Sequence, residues 1–391
     1  MIPRSLENKL IALSGYYPVV VVTGPRQSGK TTLCRMAFPQ KAYVSLEALD
    51  IQEYARTDPR GFLKEYEQGA IIDEIQNVPD ILSYLQTDMD SNPAPGRFIL
   101  TGSQHFGLSQ SISQSLAGRC GLLVLLPPSL DELRAFPNAP DDLFTVLFQG
   151  AYPRIYDRHI PAHQWLADYT ATYVQRDVRQ VVNVGDLQTF TGFLKLCAGR
   201  TAQEINLTRI GGDAGASHNT IRSWLSVLET SYIIHRLPPW HATLRKQIVK
   251  TAKLHFFDTG LLCYLLGIRE PDQLRHHPLR GAIFESWVVS EIYKTLAHAG
   301  GSPRMFHYRE TRGIEIDLLV DLGDRISALE IKSGETISED FFKNLTRFAK
   351  DRVNTEAPLP VKPFVVYGGA QPQHRSSAKV MPWRDVRRVV E

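Results

Sequence analysis

The chain has 391 residues, 43% hydrophobic and 22% charged, a balance that excludes a disordered or fibrous chain and fits two or three globular domains. A formal net charge of +3 argues neither for nor against a polyanionic partner, so any basic face must come from local arrangement. Cys34, Cys120, Cys197 and Cys263 are too scattered to pair as metal ligands and read as reduced thiols. No signal-peptide core or run near the ~20 apolar residues of a membrane span occurs, so a cytoplasmic location is expected.

Leu6, Leu10 and Leu13 sit at helical spacing and predict a short leading helix. Val19-Val20-Val21-Val22 follows, a β-branched run that reads as a buried parallel strand. Next comes Gly24-Pro25-Arg26-Gln27-Ser28-Gly29-Lys30-Thr31, which is Gly, four residues, then Gly-Lys-Thr, and Thr32 opens a helical stretch. Strand, glycine loop and helix in this order make a phosphate cradle. Glycines let backbone N–H groups close around phosphates, and the helix N-terminus adds positive charge. Lys30 would reach the β- and γ-phosphates and Thr31 would hold Mg²⁺, so residues 24–32 are read as an ATP-binding loop.

Residues 42–46 read as a second strand, and residues 69–74 as an apolar run ending in two acids. At a strand end beside the phosphate loop, Asp73 suits the Mg²⁺ shell and Glu74 suits polarising the attacking water. Residues 97–104 form another buried strand with a polar tip, where Ser103 or Gln104 is placed to sense the terminal phosphate. Arg119, between that tip and the apolar strand 122–126, either stabilises transition-state charge, in its own chain or a neighbour's, or is a solvated loop arginine.

Four runs together (residues 23–33, 71–76, 99–104 and 115–119) resemble the prokaryotic AAA-type ATPases. More narrowly, they resemble those whose C-terminal part is a DUF4143 domain adjoining a restriction-endonuclease-like, PD-(D/E)xK fold. Residues 148–153 and 173–178 extend the likeness, which covers nearly the whole chain. The resemblance implies an AAA-like fold, ATP hydrolysis and a ring assembly, by default a homo-hexamer. It implies little about biological role.

Ser129 is a candidate helix N-cap, and residues 165–182 look helical, with Arg176 and Arg179 facing either a neighbouring subunit's nucleotide or solvent. Residues 203–225 resemble a helix-turn-helix with Gly211, Gly212 and Gly215 in its turn. Ser217 would cap the second helix, and Ile221, Trp224, Leu225 and Leu228 would be its buried stripe. His218, Asn219, Arg222 and Ser223 would then face a DNA groove, with residues 232–250 supplying a wing; the alternative is a packing unit or lid.

Residues 271–278 read as a linker and residues 281–292 as an amphipathic helix bearing Glu285 at the margin of its apolar stripe. Strands at 305–309, 314–320 and 326–332 follow. Asp317 with Glu330-x-Lys332 fits the Asp…Glu-x-Lys pattern, because alternate strand residues share a face. Asp317, Glu330 and Glu285 would bind Mg²⁺, and Lys332 would orient or deprotonate the attacking water.

The expected architecture is α/β: a P-loop AAA-like ATPase core at residues 1–135, a helical lid and winged helix-turn-helix region at 136–265, and a restriction-endonuclease-like α/β domain at 275–391. The leading functional expectation is an ATP-hydrolysing, DNA-associated enzyme feeding a metal-dependent nuclease site. The alternative is a nucleotide-gated switch that binds DNA or protein with a silent nuclease-like domain.

Overall fold

The computed structural model describes residues 2–103, 116–174, 187–240, 251–310, 313–353 and 359–391. The first sheet contains β1 (Val19–Thr23), β2 (Ala42–Ser45), β3 (Ala70–Asp73), β4 (Phe98–Thr101) and β5 (Cys120–Val124). Its order is β2-β3-β4-β1-β5, parallel throughout, so β4 lies between the loop strand β1 and the acid strand β3. Parallel strands are covered on both faces, which explains their unbroken apolar runs. Val20, Val22, Ile71 and Ile99 face Leu6, Leu10 and Leu33, whereas Val19, Val21, Ile72 and Leu100 face Phe62, Leu82 and Leu85.

Beyond the sheet, Ser129 caps the helix Leu130–Leu133 in a reciprocal capping box with Glu132. Helices Leu143–Gln149, Pro153–Asp157 and Ala162–Tyr169 follow, the last running into a π-helical turn at Thr170–Val174. Gln104, Arg176, Arg179 and the basic residues 246–250 lie outside the described residues.

Helices Leu207–Ala214 and His218–Thr230 form the expected pair, Ser217 capping the second and the Ile221–Trp224–Leu225–Leu228 stripe buried. Gly211 and Gly212 lie inside the first helix rather than in the turn; only Gly215, with φ of 68°, serves as its left-handed C-cap. His218, Asn219, Arg222 and Ser223 are exposed, and β6 (Ile234–Leu237) pairs antiparallel with β7 (Lys253–Phe256) behind them.

The linker expected at 271–278 is instead largely the helix Pro271–His276. Proline suits a first helical position, where its missing N–H costs nothing, and Leu274 is fully buried. The helix Arg280–His298 then crosses to a second sheet made of β8 (Met305–Arg309), β9 (Glu315–Asp321), β10 (Ile326–Lys332), β11 (Val361–Tyr367), β12 (Gln373–His374) and β13 (Lys379–Pro382). Its order is β12-β13-β11-β10-β9-β8, with β8, β9 and β10 antiparallel and β10, β11 and β13 parallel. One hydrophobic cluster runs without a break from Leu130 to Val389 and joins the helical middle to one face of this sheet.

Candidate nucleotide site and C-terminal carboxylate cavity

The phosphate loop leaves β1 through Gly24, whose φ is 143°; a Cβ there would collide with the Leu125 carbonyl, so only glycine lets the loop pass. Gly29, also at positive φ, opens the helix Lys30–Ala37. Lys30 is buried and its Nζ donates to the carbonyls of Pro25 at 2.8 Å and Gly24 at 3.2 Å. Burial pulls its pKa down to about 8, against the opposing pull of Glu74 and Asp73.

Asp73 ends β3 and accepts from three hydroxyls: Thr31 at 2.9 Å, Tyr43 at 2.9 Å, and Thr101. A hydroxyl beside a carboxylate is an oxygen donor pair that suits a hard cation keeping waters and phosphates as its other ligands. Glu74, one residue on, sits at φ of 57° and accepts from the Gln76 amide, whose oxygen in turn accepts from the Ser103 N–H at 3.2 Å. Gln76 therefore ties Glu74 to the tip of β4. The buried Ser103 hydroxyl has no hydrogen-bond partner among the described residues.

These groups line a cavity of about 830 Å³ with a polar end at Lys30, Thr31, Thr32, Asp73 and Glu74, and apolar walls from Ile2, Met36, Phe136 and Pro153. Arg26, Gln27, Arg154 and Arg158 also line it and separate it from a neighbouring cavity of about 660 Å³ that holds Trp165 and Tyr169. The loop and both acids thus converge. Arg119 does not join them; it pairs with Asp90 at 2.8 Å, outside the cavity lining. Sequence reasoning missed Tyr43, Thr101, Arg154 and Arg158. The first two carry no motif and reach Asp73 only through sheet register.

In the C-terminal part, Asp317, Lys332, Glu285 and Arg280 line one cavity of about 340 Å³, with Glu330 at its margin through Lys332. Lys332 Nζ is 2.6 Å from Glu330 and 3.6 Å from Asp317, and Asp317 also accepts the Ile331 N–H at 2.8 Å. Glu285 meets Lys253, whose Nζ lies 3.3 Å from it and 3.0 Å from Glu315. Lys253 begins β7, far away in sequence, and had no signal there. Burial first, then the Asp317 charge, push the Glu285 and Glu330 carboxyls above the usual range. Burial pulls Lys253 down, but Glu285, Asp317 and Glu315 outweigh it and hold its ammonium above the usual lysine range.

The four expected residues are therefore brought together, yet each carboxylate already has a lysine. Among the described residues, no group of three or more His, Cys, Asp or Glu is arranged to hold a metal ion. Lys332 is shared by Asp317 and Glu330, and Lys253 by Glu285 and Glu315, so two ammonium groups face four carboxylates.

Lys253→Met should cost about 3–5 kcal/mol, the penalty for orphaning a buried charge. Glu285 already sits above its unfolded pKa and without its cation would sit higher still, so the variant's extra loss of stability should open only as pH passes the wild type's raised folded value of about 8. Urea unfolding at pH 5.5 and 8.5 checks this: the deficit should be larger at 8.5, and an equal deficit would refute the pairing.

Residues 16–134 match the family described as AAA domain, residues 140–272 a domain of unknown function (DUF8612), and residues 280–386 a domain of unknown function (DUF4143). Uncharacterized proteins of Mycobacterium bovis and Mycobacterium tuberculosis are each 29% identical over 324 residues, which is 82% of this chain and 71% of theirs. A solved Walker-type ATPase of Pyrococcus abyssi is similar at 15% identity and TM-score 0.45, covering 66% of this chain and 94% of that one. No helix among the described residues is long and apolar enough to cross a membrane. Residues 16–134 are thus similar to AAA domains and residues 280–386 to DUF4143 domains.

Proposed function

We propose that this chain is an ATP-driven switch: it binds and hydrolyses ATP at the phosphate loop, and nucleotide state controls the grip of its middle and C-terminal parts on DNA. The observation that carries the first half is the convergence of Lys30, Thr31, Asp73 and Glu74 on one cavity at the ends of β1 and β3. Residues 24–32 would cradle the phosphates, with Lys30 supplying the charge. Thr31 and Asp73 would hold Mg²⁺, which supplies neutralisation of phosphate charge when bound. Glu74, fixed through Gln76 to the Ser103 backbone, would take the proton of the attacking water. The ring assembly belongs to the same reading, with Arg119 on the surface available to a neighbouring copy.

The second half rests on the exposed His218, Asn219, Arg222 and Ser223 of the winged-helix-like pair, and on the ion pairs that already engage Glu285 with Lys253 and Glu330 with Lys332. A nuclease reading keeps one specific support: Asp317, Glu330, Lys332 and Glu285 do gather in a restriction-endonuclease-like order.

One experiment separates the two readings. Plasmid and single-stranded DNA are incubated with Mg²⁺ or Mn²⁺, with and without ATP, using wild type, Asp317→Ala and Lys332→Ala. The switch reading expects no scission, DNA-stimulated hydrolysis, and tighter DNA binding with a slowly hydrolysed ATP analogue. Scission lost in both variants would replace it with the nuclease reading. Complete indifference to DNA would remove DNA from either.

A further inference from the structure

Arg4 belongs to no motif, yet its side chain touches the phosphate loop from outside. It lies in the N-terminal segment before the helix Glu7–Ser14 and is 8% exposed. Its Nη1 donates to the Ser28 carbonyl at 2.9 Å and its Nη2 to the Leu126 carbonyl at 2.7 Å, while Nε lies 3.2 Å from Glu132. A phosphate loop works when its N–H groups face inward, which turns carbonyls outward; Arg4 is what the Ser28 carbonyl meets. The guanidinium also borders the nucleotide cavity, and a Cβ on Gly29 would sit 3.6 Å from it.

Arg4 is itself held from the C-terminal domain. Glu132 accepts the N–H groups of Ser5 at 2.6 Å and Ser129 at 2.9 Å, and His298 approaches it at 3.7 Å. Three residues of the helix Arg280–His298 therefore grip the turn at 126–132. Besides His298, Lys294 donates to the Pro128 carbonyl at 3.1 Å and to Glu291 at 2.8 Å, and Glu291 accepts the Leu130 N–H at 2.7 Å. The turn is thus clamped between Arg4 and that helix, and the same helix carries Glu285 into the C-terminal cavity. Buried ions tolerate little misplacement, because each partner lost leaves a desolvated charge.

We propose that Arg4 is a positioning residue for the phosphate loop and that the C-terminal helix sets its place through Glu132. Nucleotide affinity is then tuned from the C-terminal domain. This rests on the nucleotide-site reading above and adds its regulation.

The test is titration of full-length protein with a fluorescent ATP analogue, with KM and kcat measured alongside. Arg4→Lys keeps the charge but loses the fork. Glu291→Gln with Lys294→Met removes two helix charges together, orphans neither, and touches no residue of the nucleotide cavity lining. Each should weaken nucleotide binding about tenfold through KM, with kcat at saturation changed far less. Combining them should give no more than the larger single effect, since both act through one turn. The proposal is overturned if the helix variant, folded by circular dichroism, binds as wild type does, or if the effects multiply. It is overturned equally if folded Arg4→Lys keeps wild-type affinity; should that variant not fold, the helix variant alone decides. Lys30→Ala guards the underlying reading: if it binds like wild type, the nucleotide site itself is misassigned.

Discussion

Lys30→Ala is expected to weaken nucleotide binding by more than a hundredfold, the loss of about two strong charge-assisted hydrogen bonds. Lys30 is buried with its ammonium on the Gly24 and Pro25 carbonyls, so no solvent-exposed lysine can slide in to replace it. Its lowered pKa adds a signature that a merely structural lysine would lack. Phosphate favours the charged form, while the free protein surrenders that proton above a pKa of about 8. Binding then takes up a proton, and affinity should fall by up to about tenfold per pH unit above 8. Calorimetric titration at pH 7, 8 and 9 in buffers of different ionisation enthalpy reads both the affinity and the proton uptake. Undiminished affinity in the alanine variant would sink the assignment of the loop.

Glu74→Gln should leave nucleotide binding within a few-fold of wild type and lower kcat by about 10²–10⁴, the usual worth of a positioned general base. Asp73 is poorly placed for that work, because Thr31, Tyr43 and Thr101 already donate to its carboxylate. Glu74 faces the cavity with one fixed contact, the Gln76 amide, and glutamine preserves its shape. Phosphate release under single-turnover conditions measures the step directly. An unchanged rate would move the base role elsewhere in the cavity.

The nucleotide end of this protein was legible because its chemistry is local. A glycine loop must sit between a strand and a helix, and an acid pair must end a strand, so short runs reveal them. Arg4, Tyr43, Thr101 and Lys253 were illegible for the opposite reason: each meets its partner across sheet register or a domain boundary, at separations of 28 to 128 residues, with no period to mark it. The Asp…Glu-x-Lys face was legible as a pattern, but the pattern could not show that Lys253 would pair with Glu285. The stretch at 271–278 misled because proline punctuates loops and helix starts alike, and only the burial of Leu274 separates the two.

The unbroken cluster from Leu130 to Val389 bears on what can be separated from what. Leu261 and Leu262 on one side of the 271–278 stretch, and Ile283, Phe284 and Val288 on the other, belong to the same apolar interior. Cutting the chain there divides a single interior and exposes both halves, whereas the boundary near residue 130 falls between clusters that bury themselves apart. The C-terminal sheet is therefore no portable module. It shares one interior with the helical middle, and that interior meets the ATPase at the clamped turn 126–132 and again at the nucleotide cavity, where Phe136, Pro153, Arg154 and Arg158 complete the lining.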